Sequence, residues 1–155
     1  MKSRFDYQRA SAGFYRAMVG LEKYLHECGL DEPLIHLVKL LASQINGCAY
    51  CIDMHWKDLR AIGEPEQRLY GLDAWRESPY YTDRERAALM WAEAVTLVAG
   101  GQVDDLVYES VKLQFTEKEL ADLTCVVATI NVWNRLAISG RTEPGLYVSE
   151  LTLAR

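Results

Sequence analysis

Apolar residues recur three and four positions apart along most of the chain, and this spacing predicts helices almost throughout. Phe14, Met18, Leu21 and Leu25 predict a first helix over 9–27, ended by Gly29 and Leu30. Asp31 is placed to cap a second helix, with Pro33 in its first turn. That helix carries Leu34, Leu37, Val38 and Leu41 on one face and runs to about Ile45, where Asn46-Gly47 stops it. A third runs to about Ile62, with Gly63 as its C-terminal signal. Residues 64–72 read as a short helix and Ser78-Pro79 as a break. Two capping boxes follow, Thr82-Asp-Arg-Glu85 and Thr116-Glu-Lys-Glu119. The first opens a helix to about Ala99, closed by Gly100-Gly101; the second opens one to about Ile138. Between them Asp104 can cap a helix to about Leu113, and from Gly140 onward, with Pro144 and Gly145, the chain reads as a tail. Clean period-two alternation, internal repeats and low-complexity tracts are missing. The expectation is an all-α, single-domain, multi-helix fold over residues 1–155.

Composition narrows the function. Half of the 155 residues are hydrophobic, enough for a full core. A net charge of −5 argues against a nucleic-acid surface or an anionic membrane as partner. No apolar run reaches membrane-spanning length, and the first residues lack the apolar stretch of a signal peptide, so a cytoplasmic protein is expected. Four cysteines in a domain of this size do not make a disulfide scaffold. Cys28 and Cys125 lie in apolar helical surroundings and read as packing residues.

Cys48 and Cys51 are different. With His55 they form Cys-x-x-Cys-x-x-x-His, and at about 100° per residue the three fall within roughly 60° of one another on a helix. Cys48 follows the Asn46-Gly47 break, so it is expected in a helix's first turn, where the dipole and unpaired N–H groups favour thiolate. Three readings compete. The residues could be ordinary helix positions, but chance rarely sets a histidine four residues after a Cys-x-x-Cys. They could hold zinc, but a structural site needs four ligands, and the fourth would have to come from His26, His36 or a carboxylate. They could be a reversible dithiol–disulfide pair, which needs an attacking thiolate, a resolving sulfur and a proton handler such as His55. The pattern favours the third reading. Asp53 faces away from Cys48 and takes no part. Trp56, Trp75 and Trp91 could line an apolar approach to the thiols, although aromatic residues at helical spacing more often belong to a core or interface.

The run Ser43-Gln-Ile-Asn-Gly-Cys-Ala-Tyr-Cys-Ile-Asp-Met-His55 resembles the core motif of the alkylhydroperoxidase D (AhpD)-like group of the carboxymuconolactone decarboxylase family. The likeness extends through Lys57-Asp-Leu-Arg60, reappears at Arg84-Glu-Arg-Ala-Ala-Leu-Met-Trp-Ala-Glu93 and takes in the helix after Thr116, about residues 30–140 in all. The resemblance implies an AhpD-like helical fold, assembly into trimers or hexamers, and a redox-active cysteine pair that reduces hydroperoxides. It implies Cys51 as the attacking residue, Cys48 as proton donor and resolver, and His55 as relay. The residues alone favour Cys48 as the more acidic thiol, so the two arguments differ; the family assignment is adopted, because access and the histidine can override the dipole. The family often places a relay glutamate twelve residues before the first cysteine, and here that position is His36. Glu93 is a second candidate for the carboxylate, against a simpler role as a partly exposed helix residue.

The expected function is a thiol-dependent peroxidase or disulfide oxidoreductase, with Cys48, Cys51, His55 and His36 as its site. Its partners would be a small hydroperoxide and a dithiol or disulfide reductant. No cofactor fingerprint is visible, since Gly100-Gly101 is a helix stop, and no resident metal is expected. The alternatives are a carboxymuconolactone decarboxylase-like lyase, whose family members typically lack the cysteine pair, and a non-catalytic redox-stress sensor. Surplus apolar surface on the helices, with Phe14, Tyr15 and Met18 on the first as a candidate contact, points to a homo-oligomer.

Overall fold

The structure is a computed structural model that describes residues 2–149. Among them are eight α-helices and no strand: α1 Tyr7–Ala10, α2 Ala12–Glu27, α3 Glu32–Asn46, α4 Ala49–Ala61, α5 Glu66–Tyr70, α6 Asp83–Thr96, α7 Asp105–Val111 and α8 Glu117–Gly140. Short 3-10 turns at Leu72–Ala74 and Val98–Gly100 follow α5 and α6. Among the described residues no helix is long and apolar enough to cross a membrane.

The centre of the molecule is α3. Every residue from Leu34 to Ser43 is buried, including His36 and Lys39. A helix buried on all sides must be surrounded, and α4, α6 and α8 pack around it. Helix α8 supplies the longest wall: Leu120, Leu123, Val127, Ile130, Asn134 and Ala137 alternate at spacings of three and four and are all buried. Asn134 is the polar member of that apolar stripe, and it lies beside the cysteines.

Helix ends follow local chemistry closely. Both capping boxes form: Thr82 and Thr116 accept from the N–H of Glu85 and Glu119, whose carboxylates reach back to the capping N–H. Differences from the sequence expectation are also local. The first helix divides at Ser11, because Asp6 caps a separate turn by accepting from Gln8 and Arg9 N–H. Helix α6 stops at Thr96 rather than Ala99, where the chain tightens into the 3-10 turn. Helix α8 runs two residues past Ile138 to Gly140, and the left-handed residue that ends it is Arg141 (φ 55). Gly140 instead permits a close approach: a Cβ there would lie 3.3 Å from the Phe5 carbonyl, and Arg4 N–H donates to Gly140 O at 2.9 Å.

The segment read as a tail docks on α4. Lys57 Nζ donates to the carbonyls of Gly145 (3.2 Å) and Tyr147 (2.9 Å), and Asp53 Oδ2 accepts from Gly145 N–H at 3.1 Å. This anchorage carries Tyr147 to the functional residues.

Candidate functional site

One glycine sets the position of the first thiol. Gly47, at φ 69 and ψ 33, is the left-handed stop of α3. Its N–H reaches Gln44 O at 3.1 Å, and Cys48 N–H reaches Ser43 O at 2.9 Å. These are the paired bonds of a Schellman motif, and they fix Cys48 immediately after the turn. Cys48 therefore becomes the N-cap of α4 and not a residue of its first turn. Its Sγ accepts from the Cys51 N–H at 3.4 Å, the place an aspartate or serine oxygen usually takes.

Both thiols are reduced and 1% exposed. Around them Ala42, Ile130 and Ala137 form a small apolar cluster, with Tyr50 and Trp133 against it. Asn134 is the polar partner of the pair. Its amide donates to Ser43 Oγ at 3.0 Å and accepts from Asn46 Nδ2 at 2.8 Å, and it also hydrogen-bonds both thiols. The Cys48 thiol is drawn down to about 7, chiefly by the hydrogen bond from the Cys51 side chain, with backbone N–H groups and Asn134 adding to it against burial. Cys51 is pushed up, by its hydrogen bond to Cys48 first and by burial second. The two titrate as a unit, with one negative charge held at the N-cap and one proton retained between the sulfurs.

Cys51 and His55, one turn apart on α4, border a cavity of about 270 Å³. His36 of α3 and Asp58 of α4 lie on the same wall, and Tyr7, Tyr15, Tyr50 and Trp133 give it an aromatic lining. His36 Nδ1 and His55 Nδ1 are 3.1 Å apart, and Asp58 Oδ2 is 3.8 Å from His36 Nδ1. Asp58 Oδ1 accepts from Tyr147 Oη at 2.8 Å. Burial lowers His55 well below the usual imidazole range, with Lys39 next in effect. Burial also lowers His36, against the opposing pull of Asp58. Lys39, 2% exposed, is paired with Glu22 of α2, whose other oxygen accepts from Trp133 Nε1 at 2.7 Å.

Of the four residues expected from the sequence, Cys51, His55 and His36 thus face one cavity, with Cys48 in direct contact behind Cys51. Cys48 itself borders a separate recess of about 380 Å³ formed with Gly47, Tyr50, Ile138 and Arg141. Glu93 is elsewhere: it pairs with Arg76 at 2.6 Å, accepts from Trp75 Nε1 at 3.3 Å and lines another surface groove. Trp75 and Trp91 are core, Trp56 is partly buried against it, and Trp133 is the tryptophan that lines the cysteine-side cavity. Sequence reasoning also passed over Asp58, Lys39, Asn134 and Tyr147. Asp58 is three residues beyond His55 and so shares its face. Lys39 and Asn134 stand out as polar residues inside apolar stripes. Nothing in the sequence marks Tyr147.

The model of the carboxymuconolactone decarboxylase family matches residues 12–94. An uncharacterized protein of Bacillus subtilis, YdfG, is 38% identical over 139 residues, which is 90% of this chain and 95% of that protein. A crystal structure from Agrobacterium tumefaciens, of a protein of unknown function placed with the antioxidant defence protein AhpD, is 41% identical. It superposes with a TM-score of 0.90 over 94% of this chain and all of the other. A peroxidase-related protein from Ralstonia eutropha, described as an alkylhydroperoxidase AhpD core, shares the fold at 21% identity. Its TM-score is 0.79, over 94% of this chain and 76% of the other.

Proposed function

The chain belongs to the carboxymuconolactone decarboxylase family, with an AhpD-like all-α fold, and we propose that it is a thiol-dependent peroxidase cycling Cys48 and Cys51 between dithiol and disulfide. The observation that carries this reading is the division of labour between the two sulfurs. Cys51 borders the cavity that holds the histidine pair, while Cys48 rests behind it as the acidic N-cap.

In this reaction the Cys48 thiolate takes the Cys51 proton as Cys51 Sγ attacks the outer oxygen of a hydroperoxide. The O–O bond breaks, Cys51 becomes a sulfenic acid, and the leaving alkoxide takes a proton from the histidine side of the cavity. The 3.1 Å contact between His55 and His36 gives that side a route for replacing the proton. Cys48, deprotonated again, attacks the Cys51 sulfur; the S–S bond forms and hydroxide leaves as water after protonation. An external dithiol then reduces the disulfide. His36, in the position where the family often has glutamate, keeps a proton-carrying group there, and Asp58 supplies the nearby carboxylate.

The test is peroxide consumption with dithiothreitol. Wild-type protein should turn over, Cys51→Ser should lose turnover, and Cys48→Ser should undergo one oxidation that leaves a dimedone-trappable sulfenic acid on Cys51. Label on Cys48 in Cys51→Ser, with none on Cys51 in Cys48→Ser, would reverse the roles. No peroxide-dependent change at either thiol would refute the proposal.

A further inference from the structure

The three polar groups beside Cys51 are short of protons. His36, His55 and Asp58 are buried and each brings one ligand atom within 4.8 Å of the others, with His36 Nδ1 3.1 Å from His55 Nδ1 and 3.8 Å from Asp58 Oδ2. Burial disfavours an imidazolium at either histidine. Neutral imidazole carries one proton on one of its two nitrogens. Suppose His36 holds its proton on Nδ1, toward His55 and Asp58. Then its Nε2 lone pair faces the Glu32 carboxylate, 3.9 Å away, acceptor against acceptor. Suppose instead that the proton is on Nε2, toward Glu32. Then the Nδ1 lone pair faces Asp58 Oδ2, again acceptor against acceptor. His55 adds to the mismatch, since its Nε2 is buried without a partner. In every neutral tautomer the pair leaves buried polar atoms of His55 or Asp58 without a close partner within the cluster.

A cation at the centre would occupy the Nδ1 atoms and the Asp58 oxygen together, with His55 Nε2–H still without a partner. With both imidazoles protonated on Nε2, the two Nδ1 atoms and the Asp58 carboxylate are close enough to share one ion, and His36 Nε2–H is turned toward Glu32. That is the outer-shell partner a metal-bound histidine usually has. The spacing also fits. Zinc–nitrogen bonds of about 2.0–2.1 Å in a tetrahedral site place two ligating nitrogens roughly 3.3 Å apart. The observed separations of 3.1 Å for N···N and 3.8 Å for N···O bracket that value. Charge agrees as well. Lys39 on the cavity wall is offset by Glu22, while Asp58 places a buried carboxylate on the same wall beside the two imidazoles. Tyr147 Oη donates to the other Asp58 oxygen at 2.8 Å and so orients the carboxylate.

We propose that His36, His55 and Asp58 form a binding site for a divalent transition metal of the zinc class, with a fourth coordination position open to the cavity. The cysteines are not its ligands. Two imidazoles and one carboxylate suit zinc or cobalt far better than calcium or magnesium, which prefer all-oxygen shells. An ion bound here would use both histidines of the proton route. Peroxide turnover should therefore be inhibited by the same metal, a consequence that rests on the peroxidase reading, whereas the binding does not.

Cobalt(II) and zinc chloride, added to chelator-treated reduced protein, separate the possibilities. The first equivalent of cobalt on the wild-type chain should give the visible bands of a four-coordinate ion without a thiolate-to-metal charge-transfer band. Calorimetric titration with zinc should show one site, retained in the Cys48→Ser/Cys51→Ser double variant, which has no peroxidase chemistry to lose. Asp58→Asn and His36→Gln, each checked for helicity, should weaken zinc by at least the roughly 10–100-fold that loss of an outer-shell partner costs. A thiolate charge-transfer band at the first equivalent, loss of binding in the double-cysteine variant, or unchanged affinity in folded Asp58→Asn would each overturn the proposal. So would the absence of any binding.

Discussion

At the scale of single residues, the charge of the site rests on an uncommon helix cap. Cys48 accepts the Cys51 N–H where an oxygen usually sits, and the same position gathers the Cys51 thiol, the Tyr50 N–H and Asn134. All four favour the thiolate, and together they outweigh burial. Alkylation of Cys48 by iodoacetamide, followed by peptide mass spectrometry, should therefore be half-maximal near pH 7, well under the pKa of about 8.5 of an ordinary thiol. In Cys51→Ala, which removes the largest of these contacts, the midpoint should move upward. A wild-type midpoint at the ordinary thiol value would show that the cap does not hold the charge. The sign of the linkage is fixed by the same shift. A thiol whose folded pKa is depressed stabilises the fold most above its unfolded value, and loses that contribution as pH falls through about 7. Cys51, raised, acts the other way above the unfolded value, where the denatured chain would ionise it and the native chain would not. Urea midpoints of the reduced protein should accordingly rise from pH 7 toward pH 8.5 and fall at higher pH.

At the scale of elements, the site depends on one residue between two helices. Gly47 ends α3 in a left-handed turn and hands Cys48 directly to α4, so any strain there displaces the cap. A Cβ at Gly47 meets nothing within 4 Å, so the cost of Gly47→Ala is purely that of the backbone, about 1–2 kcal/mol. Urea unfolding should read that loss, and the alkylation midpoint of Cys48 should rise with it; Gly47→Asn should be milder, since Asn tolerates the left-handed region. An unchanged midpoint in Gly47→Ala would mean that the cap is held by α4 alone. This junction also explains what could be read from the sequence. Capping boxes at Thr82 and Thr116, the stop at Gly47 and the spacing of Cys48, Cys51 and His55 are local, and local chemistry is written in adjacent residues. His36 was reachable through the family resemblance, by its place twelve residues before Cys48. Asp58 could have been found from the helical period alone. Tyr147, Asn134, Trp133 and the Glu22–Lys39 pair come from distant segments, and no periodicity links them to α4. The docking of the tail is carried by Lys57 and Asp53 through backbone groups of 145–147, which leave no pattern in side-chain identity.

At the scale of the whole molecule, α2 leaves large apolar side chains exposed at separate points around its circumference. Tyr15 and Met18, expected from the sequence to meet a partner, turn inward instead: Tyr15 lines the cysteine cavity and Met18 is buried. What remains outside is Phe14, Val19 and Tyr24, each at least 40% exposed. Val19 also borders the cavity, so a second copy seated over Val19 would roof the site. Burying such side chains contributes about 1.5–3 kcal/mol each, enough for a few of them to carry association. We expect light scattering at micromolar concentration to give a mass that is a multiple of the 17.7 kDa chain. Phe14→Lys should lower that mass while leaving the helical signal intact, because a substitution at an exposed position costs the fold little. Leu106→Lys, at a residue 76% exposed on α7, is the control and should leave the mass unchanged. A wild-type monomer would end the expectation of an oligomer. An oligomer insensitive to Phe14→Lys but disrupted by Leu106→Lys would move the contact from α2 to α7 and leave the cavity open to solvent in the assembly.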